Sequence, residues 1–479
     1  MSDRISSLLG AEGSPRTKDT LSAILVLAWP AILEQVMITL VQYVDTAMVG
    51  SLGSAATAAV GLTASTTWLF GGLFGASSVG FSVQVAQHLG AGRREDAQRV
   101  TWQALRFVCI FGVLVGAVGV ALSFPLPAIL NAQEGIRDDA SLYFRIMACA
   151  MPCTLGANMF SAILRCAGDT KTPMILNILI NVLNVFLNFL FIYPTRTVSL
   201  FGASFTMWGA GWGVGGAAFA SATSTTVVCI LFLLVLFRKN SPVRISMKRR
   251  YPFEKLCLLT VWRLGLPVAL ERTLTSLAQI IITSLIAGIG TVAVAANHLA
   301  VTAESLSYMP AYGISAAATT LVGQAVGAGR KDLAMRFARL ISWLGVGIMT
   351  LGGLVLYLFA PQLIMIFSSE PAVIELGIQV LRIVAFAEPL FGASIVASGA
   401  LRGAGDSKVP FLLSLATMWG VRVALSLLLV GPLGLPGAWL AMAAELCTRG
   451  IVFMIRLYRG RWLKIDLFRQ KENLRSEKS

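Results

Sequence analysis

The sequence predicts an all-α polytopic membrane protein whose twelve transmembrane helices form two pseudo-symmetric six-helix bundles. Composition is the first reason: 56% of the 479 residues are hydrophobic, 13% are charged and the mean hydropathy is +0.77, whereas soluble domains carry about 25% charged residues. The second is a series of apolar runs long enough for the ~20 residues that a bilayer core requires of a helix. The third is a duplication, in which the second half of the chain repeats the first at a constant offset.

The apolar runs predict helices near residues 20–49, 55–89, 97–122, 137–166, 170–194 and 212–237, then 256–287, 292–325, 333–360, 371–402, 408–431 and 436–458. Residues 1–19 read as a polar cytoplasmic segment without a cleavable signal. Residues 238–255 form a basic linker between bundles at 20–237 and 256–458, and 459–479 form a basic tail. Counted from a cytoplasmic N-terminus, the inward connections hold Arg93, Arg94, Lys171, Lys239, Arg249, Arg330 and Lys408, among others, while the outward ones hold Arg137 and Arg196. By the positive-inside rule both termini are cytoplasmic at an inner (plasma) membrane. The net charge of +15 is therefore assigned to loops facing an anionic inner leaflet, not to a nucleic-acid surface.

The repeat is specific. Pro30 answers Pro267 and Glu34 answers Glu271, an offset of 237 (267 − 30), and GAGRRED at 90–96 answers GAGRKDL at 327–333. LRCAGDTKTP recurs as LRGAGDSKVP with Arg165, Asp169 and Pro173 matching Arg402, Asp406 and Pro410. The offset falls to 221 at Gly213 and Gly434, which leaves 16 extra residues in the last outward connection of the first copy. An even number of helices per copy makes the halves parallel, related by an axis along the membrane normal.

Candidate functional residues are polar side chains in apolar runs. Glu34 and Asp45 are eleven residues apart, which returns them to one helix face about 16 Å apart. A charge near the bilayer centre costs at least ~2.5–3.5 kcal/mol, so both acids are expected to face a bundle interior or a wet cavity. Asn177, Asn181, Asn184 and Asn188 recur at spacings of 4, 3 and 4, a stripe about 60° wide that is expected to line the same cavity or to bond neighbouring helices. In the second copy Ile282 stands in place of Asp45, and the stripe becomes Ser414, Met418, Val421 and Leu425. Its own charges form a second network of Glu271, Glu304, Glu388 and Arg422, with Glu445 and Arg449 on the last helix. A buried arginine requires a carboxylate, and Glu271 or Glu304 is the expected partner of Arg422.

Other classes lack their signatures. The seven cysteines and two histidines show no metal-ligand spacing. AGDTKTP at 167–173 lacks the GxxxxGK[ST] spacing of a phosphate loop and reads as a glycine turn between helices. No catalytic constellation is present, so the chain reads as no enzyme, and no resident cofactor is expected.

VDTAMVG, the GAG-R-ED element, the paired LR-x-AGD-(T/S)-K-x-P turns, and ESLSYMP and TTLVGQ on the eighth helix together resemble the multidrug and toxic compound extrusion (MATE) family over about residues 20–460. The resemblance implies a V-shaped twelve-helix bundle that exports amphipathic, usually cationic organic compounds in exchange for protons or sodium ions. It also implies a proton-linked network around the first-helix aspartate and the Asn-rich fifth helix, here Asp45 with Asn181, Asn184 and Asn188, although many relatives have an acid where this chain has Asn188. Other branches bind sodium through acids of helices 7 and 10, usually one turn beyond Glu271, where Thr275 stands here. The reading is an ion-coupled multidrug antiporter, working as a monomer, with Asp45 as leading coupling residue and Glu34 beside it. Protons are favoured over sodium, which would bind near Asp45 or Glu271. A lipid or oligosaccharide-lipid flippase, or a specific metabolite exporter, is the alternative.

Overall fold

The computed structural model describes residues 16–130, 134–200, 203–239, 241, 243–246, 251–368 and 370–465. Most of the N-terminal segment and of the tail therefore lies outside the described residues, as do Arg249 and Lys248 of the linker. The first copy builds α1 (Thr17–Gly50), α2 (Ser54–Gly90), α3 (Arg94–Ser123), α4 (Glu134–Cys166), α5 (Lys171–Phe191) and α6 (Gly213–Phe237). The second builds α7 (Lys255–Ala287), α8 (Thr291–Gly327), α9 (Lys331–Leu358), α10 in two pieces (Pro371–Ala385 and Glu388–Gly403), α11 (Lys408–Leu433) and α12 (Leu435–Tyr458).

Ten of these helices are long and apolar enough to cross a membrane alone, and the two pieces of α10 are so only when taken together, across a bend of 56°. The twelfth, α8, has 37 residues but is built largely of Ala, Gly, Ser and Thr with Asn297, His298 and Glu304 among them. The described residues thus hold twelve long helical segments, ten of them long and apolar enough to cross alone. The bend in α10, where one straight helix was expected, has a local cause. Pro389 follows Glu388 at the start of the second piece, and proline can neither donate to nor fit against the preceding turn. The 16 extra residues form an antiparallel hairpin of β1 (Pro194–Leu200) and β2 (Ala203–Ala210) between α5 and α6.

The glycine turns do what their sequence suggests. Gly168 and Gly405 adopt φ of 88° and 92°, a region open to glycine at little cost. The following aspartates then cap the next helix, Asp169 accepting from the Thr172 amide at 3.1 Å and Asp406 from the Val409 amide at 3.3 Å.

Packing exchanges the ends of two helices between the bundles. Ala23, Ile24, Leu27 and Ala28 of α1 are buried in one cluster with α8, α9, α10 and α12, while farther along the same helix Met48 and Val49 pack with Ile192 and Val214. Correspondingly, Cys257 and Val261 of α7 join the first-bundle core around Phe81, Val85 and Phe160, and Ile282 and Ile286 join the second. Val243 and Ile245 of the linker are buried in the first-bundle core too, and Gln103 donates to the Pro252 carbonyl at 2.6 Å. The bundles therefore interlock at the end that carries the basic connections.

Close packing against backbone yields a stability prediction. A Cβ on Gly450 of α12 would overlap the Leu390 carbonyl of α10, whereas nothing lies within 4 Å of a Cβ on Gly347. Gly450→Leu is expected to cost about 1–3 kcal/mol, read as a lowered thermal midpoint in detergent, and Gly347→Leu to leave the midpoint within error of the parent.

Candidate functional site

The two acids of α1 are on one side of the helix but occupy different environments. Glu34, 2% exposed, is engaged by Arg165 of α4 at 2.5 Å and by the Asn177 amide of α5 at 2.7 Å, with Ser161 Oγ at 3.4 Å. Arg165 also donates to Ser161 at 2.8 Å. Glu34 is thus a paired acid, neutralised by an arginine in the last turn of α4 that reaches into the bundle.

Asp45 has no such cation within ion-pair reach among the described residues. Asn188 Nδ2 donates to its Oδ1 at 2.6 Å. One turn earlier the Asn184 amide lies 2.5 Å from the same oxygen and 2.8 Å from Ser221 Oγ of α6, and both contacts are satisfied when its nitrogen is assigned toward the acid and its oxygen toward the serine. Tyr143 of α4 stands within electrostatic reach. Asp45 itself is half-buried, so it retains a path to water while amide dipoles hold it. The asparagine stripe is accordingly divided. Asn177 serves Glu34, Asn184 and Asn188 serve Asp45, and the Asn181 amide nitrogen between them is buried without a protein partner among the described residues.

The second bundle reproduces the first cluster and not the second. Arg402 of α10 pairs with Glu271 of α7 at 2.8 Å, and Ser414 Oγ donates to the same carboxylate at 3.0 Å. These three residues are the repeat equivalents of Arg165, Glu34 and Asn177. The pairing of Arg422 with Glu271 is therefore overturned, because Arg402 already occupies that acid. Arg422 instead sets Nη2 2.9 Å from Met442 Sδ and lies within electrostatic reach of Glu304 and Glu445, without an ion pair to either. Glu445 forms an ion pair with Arg449, whose Nε lies 3.3 Å away, and accepts from Thr417 Oγ1 at 3.0 Å. Glu388, fully buried, accepts from Ser307 Oγ at 3.0 Å and faces Glu304 electrostatically.

Reading the sequence missed Arg165 and Arg402 as acid partners. The signal was available, because the repeat duplicates each arginine together with its glutamate. Arg402 balances the charge of Glu271. At Asp45, Asn188 turns an N–H toward the carboxylate while its own Oδ1 is buried without a partner among the described residues. No group of three or more potential metal-ligating side chains occurs among the described residues.

Two parallel six-helix halves with a charged and amide-lined interior are the architecture of a duplicated membrane transporter. The chain belongs to the MatE family, whose model matches residues 30–190 and 267–428, one match in each copy. It is similar to the "Probable multidrug resistance protein NorM" of Thermotoga maritima, with 30% identity over 91% of this chain and 92% of the relative. It is also similar to the "Multidrug resistance protein PmpM" of Pseudomonas aeruginosa, with 27% identity over 96% and 95% of the two chains. Among solved structures it resembles a MATE protein in complex with MaD3S (TM-score 0.86, 25% identity, 96% and 98% coverage). An outward-facing multidrug resistance MATE family transporter matches with TM-score 0.85, 25% identity and the same coverage. The chain is a multi-pass membrane transporter and not an enzyme.

Removing one member of a paired cluster tests its structural role. Arg402→Ala is expected to lower stability by up to about 3 kcal/mol by leaving Glu271 uncompensated, and Arg402→Ala/Glu271→Gln to recover a large part of the loss. Thermal midpoints of purified single and double variants measure both, and an additive double variant would contradict the pair.

Proposed function

We propose that this chain is a secondary antiporter that exports amphipathic, mostly cationic organic compounds in exchange for protons, with both termini in the cytoplasm. The observation that carries the coupling reading is Asp45, an acid in a membrane helix that is held by the amides of Asn184 and Asn188 and has no counter-cation among the described residues. Such a carboxylate must be neutralised by something that enters and leaves, and a proton or a cationic substrate each does so. If each occupancy favours a different arrangement of the bundles, the two are exchanged across the membrane. The similarity to multidrug resistance proteins over nearly the whole chain supports the substrate class. A proton needs no coordinating oxygens beyond the carboxylate's own, which supports protons over sodium. The basic connections, Arg93 and Arg330 with their neighbours, support a cytoplasmic placement of the interlocked end.

Asp45→Asn keeps the shape and hydrogen bonding of the site but removes its titratable charge. It is expected to abolish coupled efflux while folded protein reaches the membrane in normal amount, as measured by dye export from energised everted vesicles beside quantified expression. In the parent, efflux is expected to persist in sodium-free buffer and to collapse with a protonophore. Strict dependence on added sodium would transfer the coupling ion to sodium.

A further inference from the structure

At the basic end the two bundles meet through one arrangement used twice. Gln87 of α2 donates from Nε2 to the carbonyl of Gly403, the last residue of α10, at 3.1 Å. Gln324 of α8 donates from Nε2 to the carbonyl of Cys166, the last residue of α4, at 2.9 Å. Both pairs cross between bundles, and both are related by the repeat offset of 237 (324 − 87, and 403 − 166). The glutamines are buried, 1% and 6% exposed. Their main chains are engaged as well: a Cβ on Gly90 would overlap the Gln324 carbonyl, and one on Gly327 would overlap the Gln87 carbonyl. These are the first glycines of the two GAG elements.

We propose that Gln87 and Gln324 are positioning residues for transport, a two-fold latch that holds the basic end shut and must release for the transporter to open there. The proposal rests on the alternating-access reading above. The choice of acceptor gives the latch its reversibility. The last four carbonyls of a helix have no intrahelical partner, so each acceptor is an orphan that the opposite bundle satisfies while the end is shut and that water satisfies when it opens. Opening therefore exchanges two interbundle bonds for two hydrated groups and leaves no buried polar group unmet. The glycines bring the helices close enough for an amide to span the gap, as small residues do at helix crossings in membranes. Each acceptor also follows the arginine that holds its own bundle's α1 or α7 glutamate, Arg165 before Cys166 and Arg402 before Gly403. Thr320 Oγ1 adds a one-sided bond to the Arg165 carbonyl at 3.2 Å.

The test measures the distance across the basic end. Spin labels are placed at Arg94→Cys and Lys331→Cys, exposed and repeat-related positions, in full-length protein whose seven native cysteines are replaced by serine or alanine, reconstituted in lipid. Pulsed electron resonance then reports the ratio of separated to closed populations. Gln87→Ala and Gln324→Ala are each expected to raise that ratio about threefold, the loss of one interhelical bond of average strength, and the double variant close to tenfold. Gly327→Ala, which presses a methyl group on the Gln87 carbonyl, is expected to raise it with both glutamines present. An unchanged ratio in the double variant overturns the latch, as does a lowered thermal midpoint without a change in ratio, which marks the glutamines as merely structural. Export that proves sodium-driven or uncoupled, together with the shifted ratio, overturns the coupling reading and supports the latch.

Discussion

The structure depends on the backbone-to-backbone crossing of α2 and α8, with the inner ends of α1 and α7 exchanged around it. In a bilayer the surrounding lipid is as apolar as a helix face, so packing and interhelical hydrogen bonds, more than apolar burial, bring helices together. Glycine at 90 and 327 removes the side chain that would keep the main chains apart. Gly80 against Val261 and Gly265 against Ala76 repeat the device between α2 and α7, and Gly313 against Ile32 repeats it between α8 and α1. Farther from the basic end, Gly72 meets only the Arg272 side chain, at an ordinary 3.5 Å. Beyond it the outer halves of α1 and α7 pack within their own bundles.

On this symmetric frame the chemistry is asymmetric. The pair formed by Glu34 with Arg165 is copied as Glu271 with Arg402, and both bind α1 or α7 to its own bundle just beyond the exchanged segment. The Asp45 site has no copy, since Ile282 occupies the equivalent position and is buried as an ordinary core residue. The second bundle instead sets Glu445 in an ion pair with Arg449 and Glu304 within electrostatic reach of Arg422 and Arg449, with Glu388 beside Glu304 and bonded by Ser307. Glu304 and Glu445 thus have arginines for company, whereas Asp45 is held by amides. That contrast is why a mobile counter-charge is assigned to the first bundle.

The legibility of the chain follows the range of the interactions involved. Apolar runs, the glycine turns with their aspartate caps, and the repeat are properties of neighbouring residues or of aligned copies, and each helix stands within a few residues of where its hydropathy puts it. The bend of α10 at Pro389 was equally local and could have been read. The 16 extra residues were counted correctly, but their pairing as a hairpin requires two strands to find each other.

By itself the sequence determined a duplicated helical membrane protein with acids and amides on interior faces, because hydropathy and periodicity are written along one chain and the energetic cost of polar groups in lipid enforces them. Only the tertiary structure decided which polar groups meet. Glu34 and Arg165 are 131 residues apart, as are Glu271 and Arg402, and Asp45 lies 143 residues from Asn188. Spacing on one helix could align Glu34 with Asp45 but could not say that an arginine from α4 would claim the first and leave the second to amides. Electrostatic partnership depends on distance in space at a few ångströms, and that distance is set by how twelve helices pack.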